Sequence, residues 1–202
     1  MSGTRPGPVR APAPGRGASA TRARLLEAAY EEFVTHGPAG ARVERIARNA
    51  PANKQAIYAY FGSKEELFEA VLEARIRVLA DVVPFTPDDL AGYAGALFDA
   101  FADDPDLIRL TQWRTLERPE ATDAERDNHI DKARAVAEAY GTDLAGGMDA
   151  LMIALAAAQS WLSTPAAIRN PAGADEKTRL AQHRAAVVAS VDAVADRIPS
   201  AR

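Results

Sequence analysis

The stretch Val43-Glu44-Arg45-Ile46-Ala47-Arg48-Asn49-Ala50-Pro51-Ala52-Asn53-Lys54-Gln55-Ala56-Ile57-Tyr58-Ala59-Tyr60 decides how this chain is built. Val43, Ile46 and Ala47 share one face of a short helix, which Ala50-Pro51-Ala52 breaks. Asn53 can cap a second short helix through Ile57 to Tyr60, and Phe61-Gly62 stops it. Val43, Ile46, Ile57 and Phe61 are then expected to hold the two helices in a small core. Two short helices joined by a tight turn, behind a longer supporting helix, form the arrangement in which the second short helix enters the DNA major groove. By pattern alone, an ordinary helical hairpin fits as well as a DNA reader.

Outward from this pair the helical signals continue. Upstream, Leu25, Leu26, Ala29 and Phe33 recur at helical spacing, and Gly37-Pro38 is expected to end that helix after His36. Downstream, Ser63 with Glu66 three residues on predicts a capping box. The helix it opens carries Leu67, Phe68, Val71, Leu72, Ile76 and Leu79 as an apolar stripe, up to Pro84. Thr86-Pro87-Asp88-Asp89 starts a helix ending near Phe101, and Asp104-Pro105-Asp106 starts another through Trp113. A polar helix is expected over 123–140 and an apolar one over 148–163. A linker follows over 164–173, then a last helix with Leu180, Val187, Val191, Val194 and Ile198 along one side.

No alternating strand pattern or internal repeat is present. The expectation is an all-α chain of about nine helices, an N-terminal three-helix helix-turn-helix domain followed by a larger C-terminal helical bundle. Its parts are a disordered basic arm (1–18), the helix-turn-helix domain (19–64), a connecting helix (65–84) and a C-terminal helical domain (85–202), to which the family resemblance given below assigns ligand binding and dimerisation.

Composition narrows the functions. The 48% hydrophobic fraction is mostly alanine and leucine, which favours helix over strand. Cysteine is absent, so there is no disulfide, thiolate metal site or cysteine nucleophile. No apolar run has membrane-spanning length and no apolar core follows the basic N-terminus, so a cytoplasmic protein without a membrane partner is expected. The net charge of −4 hides an asymmetry: residues 1–64 hold ten Lys and Arg against four acids. A basic head on an acidic body suggests that the head meets a polyanion. Arg5, Arg10 and Arg16 stand on a proline- and glycine-rich, acid-free arm that can follow phosphates.

An enzyme is the main rival class. His36, His129 and His183 lie far apart and form no ligand-spaced cluster, and an acidic helix face accounts for Asp127 and Asp131 beside His129. Gly146-Gly147 belongs to no phosphate-binding pattern. No catalysis, metal or cofactor is therefore expected. An all-helical protein-interaction module is the second rival, against which stands the positive charge concentrated in the head.

Residue order adds more. Thr21-Arg22-Ala23-Arg24-Leu25-Leu26-Glu27-Ala28-Ala29, Phe33, His36-Gly37, Val43, Ile46-Ala47 and then Ile57-Tyr58-Ala59-Tyr60-Phe61-Gly62-Ser63-Lys64-Glu65-Glu66-Leu67 resemble the N-terminal domain of the TetR family of transcriptional regulators. The resemblance covers residues 20–75 and is densest from Tyr58 to Leu67. It implies a homodimer on a palindromic operator in double-stranded DNA, a divergent ligand-binding domain, and repression relieved by a small-molecule effector. Position by position it puts Lys54, Tyr58, Tyr60 and Lys64 among residues that contact DNA or support its phosphate grip, with one tyrosine expected partly in the core. Gln55 and Ala56 fall where bases are read, by amide pairing with adenine and methyl contact with thymine. Arg42 stands where the family often has a phosphate-binding threonine, and Arg45 is close enough to contribute. Arg48 reads as a solvated face. Pro51 replaces a usual turn glycine, so Asn49 or Ala50 is expected to take the left-handed conformation.

In the body, Tyr93, Phe98, Phe101, Trp113, Met148, Met152 and Trp161 are the candidate pocket linings, with Gly92 and Gly95 marking room for a ligand. Leu155, Leu180, Val187, Val191 and Val194 are the candidate dimer contacts, with Ala156, Ala157 and Ala158 permitting close helix approach.

Overall fold

The structure, a computed structural model, describes residues 16–198; the arm expected at 1–18 lies almost wholly outside them. The described residues form ten helices and no strand. These are α1 (Arg16–Gly40), α2 (Val43–Asn49), α3 (Lys54–Phe61), α4 (Lys64–Val82), α5 (Leu90–Asp103), α6 (Pro105–Glu117), α7 (Asp123–Tyr140), α8 (Leu144–Ser163), α9 (Ala166–Arg169) and α10 (Glu176–Ala195). No single helix among them is long and apolar enough to cross a membrane. The chain divides into two compact units, up to Val71 and from Leu72 onward.

In the first unit, α1 leaves helical geometry at Gly37, the expected stop, with φ 68° and ψ 167°. Glycine reaches that conformation without a Cβ clash. Leu25, Ala29 and Phe33 of α1, Ile46 of α2, Ile57 of α3 and Leu67 of α4 are all fully buried. Phe33 meets Phe68 edge-on, with ring centroids 5.1 Å apart. Each large apolar side chain removed from water here contributes about 1.5–3 kcal/mol, so this core holds the short helices that are too short to persist alone. Ser63 Oγ accepts from the Glu66 N–H at 3.0 Å, the serine half of the expected cap.

The turn differs from expectation. Ala50 stays right-handed (φ −88°, ψ 11°) and Asn49 remains inside α2. Pro51 itself takes the positive φ, at 26°. A pyrrolidine ring prefers about −65°, so the turn is closed against the ring's own preference.

In the second unit, α8 packs against α5, α7 and α10. Its Ala150, Leu151, Ala154, Ala158 and Trp161 are buried, together with Leu97 and Phe98 of α5, Val136 of α7 and Val191 of α10. Two sequence expectations shift here. The apolar helix begins four residues earlier than 148, because Asp143 caps it by accepting from the Gly146 N–H at 2.8 Å. The linker holds the single turn α9, which raises the count to ten among the described residues.

The glycines of α5 mark close contacts and a cap, not room for a ligand. A Cβ on Gly95 would stand 2.9 Å from Val188 Cγ2, and one on Gly92 would strike the Asp89 carboxylate that caps α5.

Candidate nucleic-acid interface

Helix α3 is fixed at both ends. The Asn53 side chain accepts from the Ala56 N–H at 2.7 Å, and the Gly62 N–H closes onto the Tyr58 carbonyl at 2.9 Å with Gly62 at φ 84°. Ile57 and Phe61 point into the core, which turns Lys54, Gln55, Tyr58, Ala59 and Tyr60 outward. Gln55 is exposed with no hydrogen-bond partner among the described residues. Tyr58 is 44% and Tyr60 37% exposed, so both rings reach the surface while more than half of each residue is covered. Tyr60 leans toward Phe61 with centroids 6.3 Å apart. Ala56 is half-buried beside them.

Lys54 Nζ donates to Glu44 Oε1 at 2.6 Å and lies 5.9 Å from the Tyr58 ring centre. The hydrogen bond lowers the Glu44 pKa and raises that of Lys54. Both groups are well exposed, so this pair orients the lysine more than it stabilises α2 on α3. Lys64 Nζ donates to the Pro38 carbonyl at 2.8 Å and thereby ties the start of α4 to the end of α1.

Arg45 departs from its expected phosphate role. Its Nε donates to both oxygens of Glu32, at 2.8 and 3.0 Å, and its Nη2 donates to the Gly40 carbonyl at 3.0 Å. Glu32 also accepts from the Arg42 N–H at 2.8 Å, and its side chain is 3% exposed. Burial alone would push the Glu32 carboxyl up. The Arg45 guanidinium, the Arg42 N–H and His36 at 3.8 Å outweigh it and hold the carboxyl below its ordinary value. Arg45 is a bolt inside the head, and Glu32 is the functional support that the motif did not name. Its signal is in the sequence: Glu32 falls seven residues after Leu25, on the apolar face of α1, where a charge needs a partner. The Arg42 side chain, by contrast, is exposed and makes no hydrogen bond or ion pair among the described residues, though its charge acts on Glu44.

A family profile described as "Bacterial regulatory proteins, tetR family" matches residues 25–71, and one described as "Tetracyclin repressor-like, C-terminal domain" matches residues 89–192. The chain belongs to the TetR family. It is 50% identical over 125 residues to the HTH-type transcriptional repressor SCO4008 of Streptomyces coelicolor, covering 60% of this chain and 64% of that protein. It is 48% identical over 56 residues to the HTH-type transcriptional repressor NicS of Pseudomonas putida, 28% of this chain and 26% of that one. The chain thus spans less than two thirds of the length of these curated relatives. The solved structure of the transcriptional regulator SCO4942 of Streptomyces coelicolor is similar over 86% of this chain and 97% of its own, with 37% identity and a TM-score of 0.73.

In the body of this TetR-family chain, the seven candidate pocket residues do not converge. Tyr93, Phe98, Phe101 and Trp161 are buried, while Trp113 is half-buried with the Arg109 guanidinium 5.1 Å from its ring centre. Met148 is half-buried, and Met152 is 58% exposed on the outer face of α8, which removes it from a pocket. Burial pushes the Tyr93 phenol above its ordinary pKa. Sequence reasoning missed the polar pair in this core, in which His183 shares a 2.8 Å hydrogen bond with Ser160 Oγ. Phe98 and Trp161 flank the imidazole with centroids at 5.9 and 5.3 Å, and burial lowers its pKa.

The expected dimer contacts also divide. Val187 and Val191 are buried in the chain's own core, because α10 turns that stripe onto its neighbours in the body. Leu155, Leu180 and Val194 are half-buried. The face left open carries Met152, Ile153 and Ala156 of α8 and Ala185, Ala186, Ala189 and Ala193 of α10. Ile153, Ala193, Val194 and Ile198 line one hollow of about 320 Å³ between those helices.

Proposed function

We propose that this chain is an effector-responsive repressor that binds a palindromic operator as a dimer, with α3 in the major groove. The observation that carries this is the outward row Lys54, Gln55, Tyr58 and Tyr60 on a short helix capped at both ends and anchored by Ile57 and Phe61. Gln55 reads a base edge, the Ala56 methyl meets a thymine methyl, and Lys54, Tyr58, Tyr60 and Arg42 hold phosphates. Lys64 keeps two ammonium hydrogens for a phosphate beyond the one bonded to Pro38. The repressor names of SCO4008 and NicS support the direction of control.

Gln55→Ala tests the base-reading role. It is expected to cost about 1–3 kcal/mol on a selected operator and to leave binding to random duplex nearly unchanged, as read by fluorescence anisotropy. An equal fall on both duplexes makes Gln55 a positioning residue.

The dimer rests on the open face of α8 and α10, whose alanines allow close approach while Met152 and Ile153 supply apolar area. Light scattering is expected to give twice the 21.5 kDa chain mass for the wild type and the single mass for Met152→Glu, with helical content preserved. A wild-type mass of one chain contradicts the dimer. Val191→Glu is not a usable splitter, since it puts a carboxylate into the body's core. The effector is proposed to lie against Phe98 and Trp161, where His183 and Ser160 add polar atoms to aromatic walls.

A further inference from the structure

Several of the head's cations already have protein partners. Arg45 is bound by Glu32, Lys54 by Glu44 and Lys64 by the Pro38 carbonyl, while Arg22 lies 5.2 Å from the centre of the Phe61 ring. Arg24 and Arg48 have no carboxylate partner among the described residues; Arg24 Nη2 donates to Thr21 Oγ1 at 3.1 Å, one turn back on its own helix. Both line an open hollow of about 470 Å³ whose other walls include Ala47, Asn53 and Ala56. From the sequence Arg48 reads as a solvated face. Its position beside a second guanidinium without a carboxylate, over a concave surface, gives it a different meaning.

We propose that this hollow is a second seat for the DNA backbone, in which Arg24 of α1 and Arg48 of α2 hold a phosphodiester on the wall of the groove that α3 enters. This rests on the DNA-binding function above. An α-helix with its side chains is about 10–12 Å across and the major groove about 12 Å wide, so a helix seated there fills it. Groups just off the reading face of that helix then meet phosphates, not bases. Asn53 and Ala56 belong to both the α3 segment and the hollow, which puts the two arginines beside the reading face. Guanidinium forks suit phosphate oxygens, and both arginines line the same hollow. Such a contact adds affinity and register without sequence preference.

Salt dependence tests it. Wild type, Arg24→Ala, Arg48→Ala, Arg48→Lys and the double alanine variant are titrated onto random duplex and onto a selected operator, from about 50 to about 200 mM salt. Each alanine is expected to flatten the slope of log affinity against log salt by about one unit per head, on both duplexes alike. Over that roughly fourfold rise in salt, each alanine variant then loses about fourfold less affinity per head than the wild type. Arg48→Lys keeps the slope, because it keeps the charge. Both arginines are exposed, so the melting temperature is expected to stay unchanged. Unchanged slopes in the double variant overturn the second seat while leaving α3 as the reader. A loss on the operator alone also overturns it, since that is the mark of base reading. A wild type that binds neither duplex removes the DNA-binding function beneath the proposal, an outcome distinct from the other two.

Discussion

Glu32→Ala is expected to loosen the helix pair of the head, raising amide exchange rates in α2 and α3 by about a hundredfold. Three groups converge on that carboxylate, the Arg45 guanidinium, the Arg42 N–H and His36, and the same guanidinium also donates to the Gly40 carbonyl. Removing it strands a guanidinium whose side chain is only 27% exposed and leaves a backbone donor unpaired. Breaking a pair this buried costs about 3 kcal/mol, which converts to that factor in the opening equilibrium. Operator binding falls with it, because α2 is the element that α3 packs on. The carboxyl's folded pKa lies below its ordinary value of 4.5, so its stabilising effect is present above that pH and is lost as pH falls through the folded value. Glu32→Gln is therefore expected to remove this acid-dependent part of the head's stability. Exchange in α2 and α3 that stays at the wild-type rate would show that Arg45 is held by something else.

Gly147→Ala is the second large effect, in the body. Alanine is the better helix former by about 1 kcal/mol, so propensity alone predicts a more stable α8. Packing reverses the sign. A Cβ at 147 would strike the Ala133 carbonyl oxygen and stand 2.9 Å from the Ala137 nitrogen and 3.0 Å from the Ala137 Cβ. Two of those three are backbone atoms that no rotamer change can move, so α7 and α8 must separate along a crossing that buries Ala133, Val136 and Ala137. The expected net loss is about 3 kcal/mol, or roughly 10 °C in melting temperature for a chain of this size. A melting temperature equal to or above the wild type's would mean that the two helices have room to part.

These two residues show where the sequence is informative and where it is not. Caps and breakers act through neighbours in the chain, so Asn53, Ser63, Gly37 and Gly62 are legible one by one. The outward row of α3 follows from the same logic once Ile57 and Phe61 are set inside. Glu32 and Gly147 act across helices, and a single sequence records the residue but not the neighbour that requires it. The same blindness explains Arg45, which reads as a free cation because Glu32 is thirteen positions away. Val187 and Val191 show the converse. An apolar stripe announces that it will be buried, but not whether its own chain or a second copy buries it. At Pro51 the ring's preference points to a neighbour for the positive φ, and the turn overrides that preference.

If a pair of α3 helices reads a two-fold symmetric DNA sequence, selection from a randomised duplex library reveals it, whichever genes are controlled. The full chain is expected to enrich an inverted repeat, with half-sites whose centres lie about one helical turn or a multiple of it apart. Gln55→Ala is expected to enrich the same repeat with one position in each half relaxed. A pool that stays random after repeated rounds, or that converges on a site with no two-fold symmetry, would contradict the account.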